Sequence, residues 1–127
     1  MAIRIMECGF ADIMSLAGKA ARERVSISNT SKTQWFAVHY EGKRIKACAG
    51  AMAVPGAGFR IKGVWVDPPM RGKGVGEALV DEIRKYADRR SAAFLEAFAY
   101  NADFYKRKGF IMIGTLPNGA AKMRLPL

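Results

Sequence analysis

The order of predicted segments, β-α-β-β-β-α-β-α-β-β, places this 127-residue chain among mixed α/β (α+β) proteins, with helices on the faces of one sheet. Three observations carry that prediction. Period-two apolar runs alternate with three stretches of helical periodicity. Turn residues punctuate the chain at Glu41-Gly42, Pro55-Gly56-Ala57-Gly58 and Pro117-Asn118-Gly119. The length suits a single core, so residues 1–127 are expected to form one compact domain.

Ile3 to Cys8 alternates as a strand. Asp12 then opens a helical pattern in which Ile13, Leu16, Ala17, Ala20 and Ala21 share a face, ending near Arg24. Ser26 to Thr33 is polar and irregular. Trp35 to Tyr40 and Arg44 to Val54 read as two strands joined by the Glu41-Gly42 turn. Phe59 to Val66 is the next strand, stopped by Pro68-Pro69 because proline donates nothing to a ladder. Gly74 to Arg90 is the strongest helix, with Val75, Leu79, Ile83 and Tyr86 on one stripe and Asp81 and Lys85 at i,i+4 spacing outside it. Ala92 to Ala99 is an apolar strand containing Glu96. Ala102 to Lys108 is a short helix ended by Gly109, and Phe110 to Thr115 and Ala120 to Leu125 are the last strands.

Composition narrows the function classes. Half the residues are apolar and a quarter charged, and the apolar runs are too short for a membrane span. The strand-like N-terminus lacks the basic start and apolar run of a secretory signal, so a cytoplasmic protein is expected. Cys8, Cys48 and the single His39 fall in strand patterns without metal-ligand spacing, which points to buried reduced thiols and no metal site. Lys and Arg number 21 against 11 acids, a formal charge of +10 spread along the chain. Such a surface attracts anionic ligands or partners, although part of it is ordinary solvated surface.

The informative stretch is Val66-Asp67-Pro68-Pro69-Met70-Arg71-Gly72-Lys73-Gly74-Val75-Gly76. A strand is halted by proline, and a glycine-rich loop then runs directly into the best helix. Alternate glycines let main-chain N–H groups turn toward one point, and the helix start adds unpaired donors and its positive dipole end. Arg71 and Lys73 add charge beside it. A pyrophosphate suits this cradle. The glycine spacing is G-x-G-x-G, which fits neither the Walker nor the dinucleotide fingerprint.

Arg71-Gly72-Lys73-Gly74-Val75-Gly76 resembles the R/Q-x-x-G-x-G/A motif of the GNAT acyl-CoA N-acyltransferases. Leu95-Glu96-Ala97 followed by Asn101 resembles that family's Leu-Glu-Val-x-x-x-Asn, and Phe104-Tyr105-Lys106-Arg107-Lys108-Gly109-Phe110 its x-Tyr-x-x-x-Gly-Phe. The resemblance covers nearly the whole chain, most strongly Phe59 to Gly114. It implies a GNAT-like fold, acetyl-CoA as cofactor, and a pyrophosphate held by Arg71, Gly72, Lys73, Gly74, Val75 and Gly76. It further implies that the backbone of Val64, Trp65 and Val66 bonds the pantetheine arm and acyl carbonyl. Two departures stand out. Asn101 and Tyr105 are closer than the family's spacing by nearly one helical turn, and the region after the first helix is too short for the usual second helix. An open acceptor side suits a large substrate.

Acyl transfer to an amine needs a neutral nucleophile, although a lysine-like amine has a pKa of about 10.4. Glu96, alone among apolar neighbours, is the candidate base, the role of the matching Glu in similar enzymes acting on protein N-termini. It reads equally as a strand carboxylate paired with Lys or Arg. Tyr105 is the candidate acid for the departing thiolate, or a core tyrosine. Asn101 either meets the pantetheine or caps the following helix. Arg60 and Lys62 share a strand face, as solvated bases or as contacts to an anionic acceptor. Trp65 is expected in the core.

The leading reading is an N-acetyltransferase acting on an amine in a ternary complex. Alternatives are the same chemistry on a nucleic-acid or nucleic-acid-associated acceptor, and a non-catalytic module that binds coenzyme A. The charge favours the former, while a clear aromatic-basic stacking platform is lacking. The last strand is compatible with a homodimer.

Overall fold

The computed structural model describes residues 3–29, 32–40 and 44–127. Seven strands form one sheet in the order β1-β2-β3-β4-β5-β7-β6. They are β1 (Ile3–Cys8), β2 (Thr33–Tyr40), β3 (Arg44–Val54), β4 (Gly58–Val66), β5 (Phe94–Ala99), β6 (Ile111–Thr115) and β7 (Ala121–Pro126). Among the described residues only β4 and β5 pair in parallel; the other neighbours are antiparallel. The helices are α1 (Phe10–Ile13), α2 (Ala17–Arg22), α3 (Val75–Arg89) and α4 (Ala102–Arg107). The expected mixed α/β order is therefore present. The Glu41-Gly42 turn lies outside the described residues.

The first helical region departs from expectation. It begins at Phe10, before Asp12, because the Asp12 carboxylate reaches back to accept the Gly9 N–H at 3.0 Å. A 3-10 turn at Met14–Leu16 then separates α1 from α2. The turn leaves Ile13, Leu16 and Ala20 buried, but Ala21 is exposed. Asp81 does not use the i,i+4 partner suggested by spacing. Its carboxylate pairs with Lys108, at the end of α4.

Two cores sit on opposite faces of the sheet. Val75, Leu79, Val80, Ile83 and Tyr86 of α3 pack on Phe36, Val38, Ala47, Ala49, Ile61, Leu95 and Ala97. The alanines of β3 allow the helix a close approach, and Tyr86 meets Phe36 and Phe59 edge-on, each at 5.4 Å between centroids. On the other face Ile13, Leu16, Ala20 and Ile27 cover Trp35, Ala37, Cys48 and Trp65. That second layer covers β2, β3 and the end of β4. Beyond it, Phe98 of β5 and Ile111 of β6 are exposed.

Candidate active site

The sheet opens where β4 leaves β5. Registered pairs run from Gly58↔Phe94 to Ile61↔Ala97 and stop there, while β4 continues to Val66 against β3. The departure coincides with a β-bulge. Between Gly50↔Lys62 and Cys48↔Trp65, β3 advances two residues and β4 three. Gly63 carries the extra residue at φ +60°, and a Cβ there would lie 2.7 Å from the Trp35 ring. The bulge reverses the alternation of β4. Phe59 and Ile61 face α3, and beyond Gly63 it is Val64 and Val66 that do so, with Trp65 turned into the opposite core. Sequence reading did not single out Gly63, although a lone glycine inside a strand pattern is a bulge signal.

Two cavities lie in series along the freed edge. The larger, about 430 Å³, is bordered by Lys62 and Val64 of β4, Phe98 and Asn101 at the end of β5, Tyr105 of α4 and the segment after α2. The smaller, about 280 Å³, is bordered by Val66, Gly72, Gly74, Val75, Gly76 and Phe104. Val64 and Tyr105 thus border one, and their near neighbours Val66 and Phe104 the other.

The smaller cavity is the glycine cradle. A 3-10 turn at Pro68–Met70 leads into it, and Gly72 and Gly74 adopt φ values of +76° and +79°. A Cβ at either would meet no heavy atom within 4 Å, so glycine is required by the backbone and not by crowding. Gly74 caps α3, whose ladder begins with the Ala78 N–H donating to the Gly74 carbonyl at 3.0 Å. The amides of Val75, Gly76 and Glu77 precede that first bond and point out of the helix end. Arg71 borders the cavity and also holds the loop in place. Its Nε donates to the Val66 carbonyl at 2.8 Å and its Nη2 to Glu23 at 2.7 Å, clamping the loop to β4 and to the end of α2. Lys73 is exposed and is not on the cavity wall.

The larger cavity brings Tyr105, Asn101 and Val64 together despite the short Asn101–Tyr105 spacing. Tyr105 is buried between Phe104 and Phe110, at 5.0 and 5.3 Å between centroids, and burial pushes its phenol up to about 12. It is a neutral donor at physiological pH. The Asn101 side chain accepts the Phe104 N–H at 3.4 Å, capping α4 at the cavity rim.

Glu96 lies beside this cavity and not on its wall. It is buried, and its Oε2 stands 3.7 Å from Arg60 Nε, its register partner on β4. On the other side its register partner is Arg124. The two guanidinium groups cover phenylalanine rings of β5, Arg60 over Phe98 at 4.1 Å and Arg124 over Phe94 at 4.0 Å. Glu96 is thus buried on a central strand between two arginine-bearing neighbours.

Cys48 is buried as expected, whereas Cys8, at the end of β1, is only partly so. Burial pushes Cys48 up to about 12 and Cys8 up to about 11, and both thiols are free. No group of metal-ligating side chains occurs among the described residues, and none of their helices is long and apolar enough to cross a membrane.

A sequence profile of the acetyltransferase (GNAT) domain matches residues 31–112. The chain belongs to the GNAT acetyltransferase family. The match includes β2 to β5, the glycine cradle, α3 and α4, but not the segment after α2 that borders the larger cavity. Solved structures share the GNAT fold at low identity. A GNAT-family acetyltransferase from Staphylococcus aureus Mu50 is 14% identical, with 99% of each chain covered and a TM-score of 0.80. The PaiA N-acetyltransferase of Thermoplasma acidophilum, solved in complex with coenzyme A, is 12% identical over 100% of each chain, with a TM-score of 0.82. The N-acetylglutamate synthase of Neisseria gonorrhoeae, complexed with coenzyme A and N-acetyl-glutamate, is 18% identical with a TM-score of 0.82; all of this chain aligns to 35% of that one. No curated protein sequence matches the chain at a significant level.

Proposed function

We propose that this GNAT domain transfers an acetyl group from acetyl-CoA to an amine by direct attack in a ternary complex. The observation that carries the reading is the pair of cavities in series along the freed edge of β4. An elongated thioester with a diphosphate at one end matches that arrangement. The amides at the start of α3 suit the diphosphate, and the β4 edge at Val64 to Val66 suits the pantetheine amides. Bound acetyl-CoA supplies the electrophilic thioester carbonyl.

The residues of the chain then have distinct tasks. Main-chain N–H groups on the β4 edge would donate to the oxygen as negative charge develops there. Tyr105, held protonated by burial, would pass its proton to the departing sulfur as the C–N bond forms and the C–S bond breaks. The acceptor must be neutral to attack. Arg24, Arg60 and Lys62 on the cavity wall favour that state by making the surroundings positive. The Lys62 ammonium is itself pushed below its ordinary range, first by burial and then by the charge of Arg60. The amine proton leaves to water, since Glu96 is set back behind Arg60.

Turnover of acetyl-CoA, read as thiol release and as acetylated product, tests this reading. Calorimetry with coenzyme A should show saturable binding that weakens when Gly74 carries a bulky side chain. Absence of saturable binding would remove the proposed function.

A further inference from the structure

We infer that the acceptor is a small primary amine carrying an anionic group, a carboxylate or a phosphate, recognised by Arg24, Arg60 and Lys62. The inference rests on the acetyl-transfer reading and adds the substrate class. These three cations, from the loop after α2 and from β4, border the larger cavity beside Tyr105. The one acid on that wall, Glu23, is paired with Arg71 at 2.7 Å. Arg60 is offset by the buried Glu96 behind it and Lys62 donates to the neutral Ser28 hydroxyl at 3.5 Å, so Arg24 and Lys62 leave the wall with an excess of positive charge, which favours an anion held across from the reacting end.

Two further observations concern Arg60, which is partly buried, and Arg24, which is exposed. Arg60 is held in place from beneath, by the buried Glu96 at 3.7 Å and by the Phe98 ring at 4.1 Å. A guanidinium fixed by packing loses less freedom on binding than a mobile one. Its Nε is buried without a hydrogen-bond partner, so the anchoring is ionic and aromatic.

Arg24 is the second observation. The Val25 N–H donates to the Ala20 carbonyl and the Arg24 N–H to the Ala21 carbonyl, the paired bonds of a Schellman motif closing α2. Arg24 thus occupies the position that usually holds glycine, and its φ is +62°. An arginine there accepts backbone strain that glycine would avoid. The strained residue is one that borders the cavity.

The test is steady-state acetylation of matched amines by the intact chain. β-Alanine and O-phosphoethanolamine supply the carboxylate and phosphate arms, ethanolamine the neutral control and putrescine the cationic one. The anionic amines should be preferred, with the better of the two identifying the group. Arg60→Gln and Lys62→Gln should each raise their KM by about tenfold or more, with KM for acetyl-CoA unchanged. Arg24→Gly should raise that KM too while keeping or increasing thermal stability, an outcome that loss of folding cannot imitate. Equal or better use of ethanolamine or putrescine would overturn the inference, as would variants that leave the preference intact. Acetylation confined to nucleic acid or protein acceptors would also overturn it. If coenzyme A binds in calorimetry but no small amine is acetylated, the acceptor class falls and the cofactor reading stands. If coenzyme A does not bind, both fall.

Discussion

The Cys48 thiol donates to the Gly63 carbonyl oxygen across 3.5 Å, at the point where β4 carries one residue more than β3. This contact joins the second core to the bulge that parts β4 from β5. The opening of the sheet is thus tied to packing on the face away from α3, through Cys48, Trp35 and Trp65.

Gly63→Ala should cost roughly 2–4 kcal/mol, the sum of left-handed backbone strain and crowding of a packed core. The added Cβ would meet Trp35 at 2.7 Å and the Ser26 carbonyl at 3.2 Å. Urea unfolding measures the loss. A variant as stable as the parent would show that Gly63 is neither conformationally strained nor crowded by Trp35.

Gly74→Ala and Gly76→Ala should separate backbone strain from steric filling of the cradle. Gly74 sits at φ +79° with open space around it, so alanine costs about 1 kcal/mol without a clash. Gly76 is helical, and its Cβ would lie at contact distance from Phe104, at 3.7 Å, and Val66, at 3.9 Å. Alanine there should be neutral or stabilise by up to about 0.5 kcal/mol, while KM for acetyl-CoA rises because the methyl narrows the cavity. Equal unfolding midpoints for the two variants would contradict this account.

Tyr105→Phe should lower kcat by about 100-fold with little change in KM for acetyl-CoA, because the ring contacts to Phe104 and Phe110 survive and only the proton donor is lost. Unchanged kcat would remove Tyr105 from the proton transfer.

Glu96→Gln distinguishes a positioning carboxylate from a base. If Glu96 acts through Arg60, the variant should raise KM for the acceptor and leave the pH profile of kcat/KM in place. A displaced acidic limb would instead make Glu96 the base.

Stability should decline in alkali. Folding raises Cys48 from 9.0 to about 12, Cys8 from 9.0 to about 11 and Tyr105 from 10.0 to about 12. Each contribution is complete below the unfolded value and disappears as pH climbs through the folded one, so the loss spans the interval from 9.0 to about 12. Denaturant midpoints across that interval measure it, and Cys48→Ala should flatten the slope. An unaltered slope would mean that the thiol titrates alike in both states.

Much of the architecture was readable from local patterns. β1 and β3 begin and end where alternation and turn residues put them, at Ile3–Cys8 and Arg44–Val54. The apolar stripe of α3 is buried as its periodicity required, and a glycine-rich loop runs directly into that helix as expected, Gly72 and Gly74 taking left-handed conformations. Local signals sufficed there because backbone conformation and one-sided burial are properties of a few consecutive residues. The start of α1 was misplaced because Asp12 favours either end of a capping interaction, and only the path of the chain selects one.

The site's working contacts belong to another level. Arg60, Glu96 and Arg124 come from three strands, and their alignment depends on register across the sheet. Arg71, on the cradle wall, also meets Glu23, 48 residues earlier in the chain. Such pairings follow from packing over long sequence separations, where many partners are chemically equivalent until the strands are in place. Motif and periodicity therefore identified the family and its glycine-rich loop, whereas strand register set Arg60 and Arg124 beside Glu96 and loop and helix packing set Arg71 against Glu23.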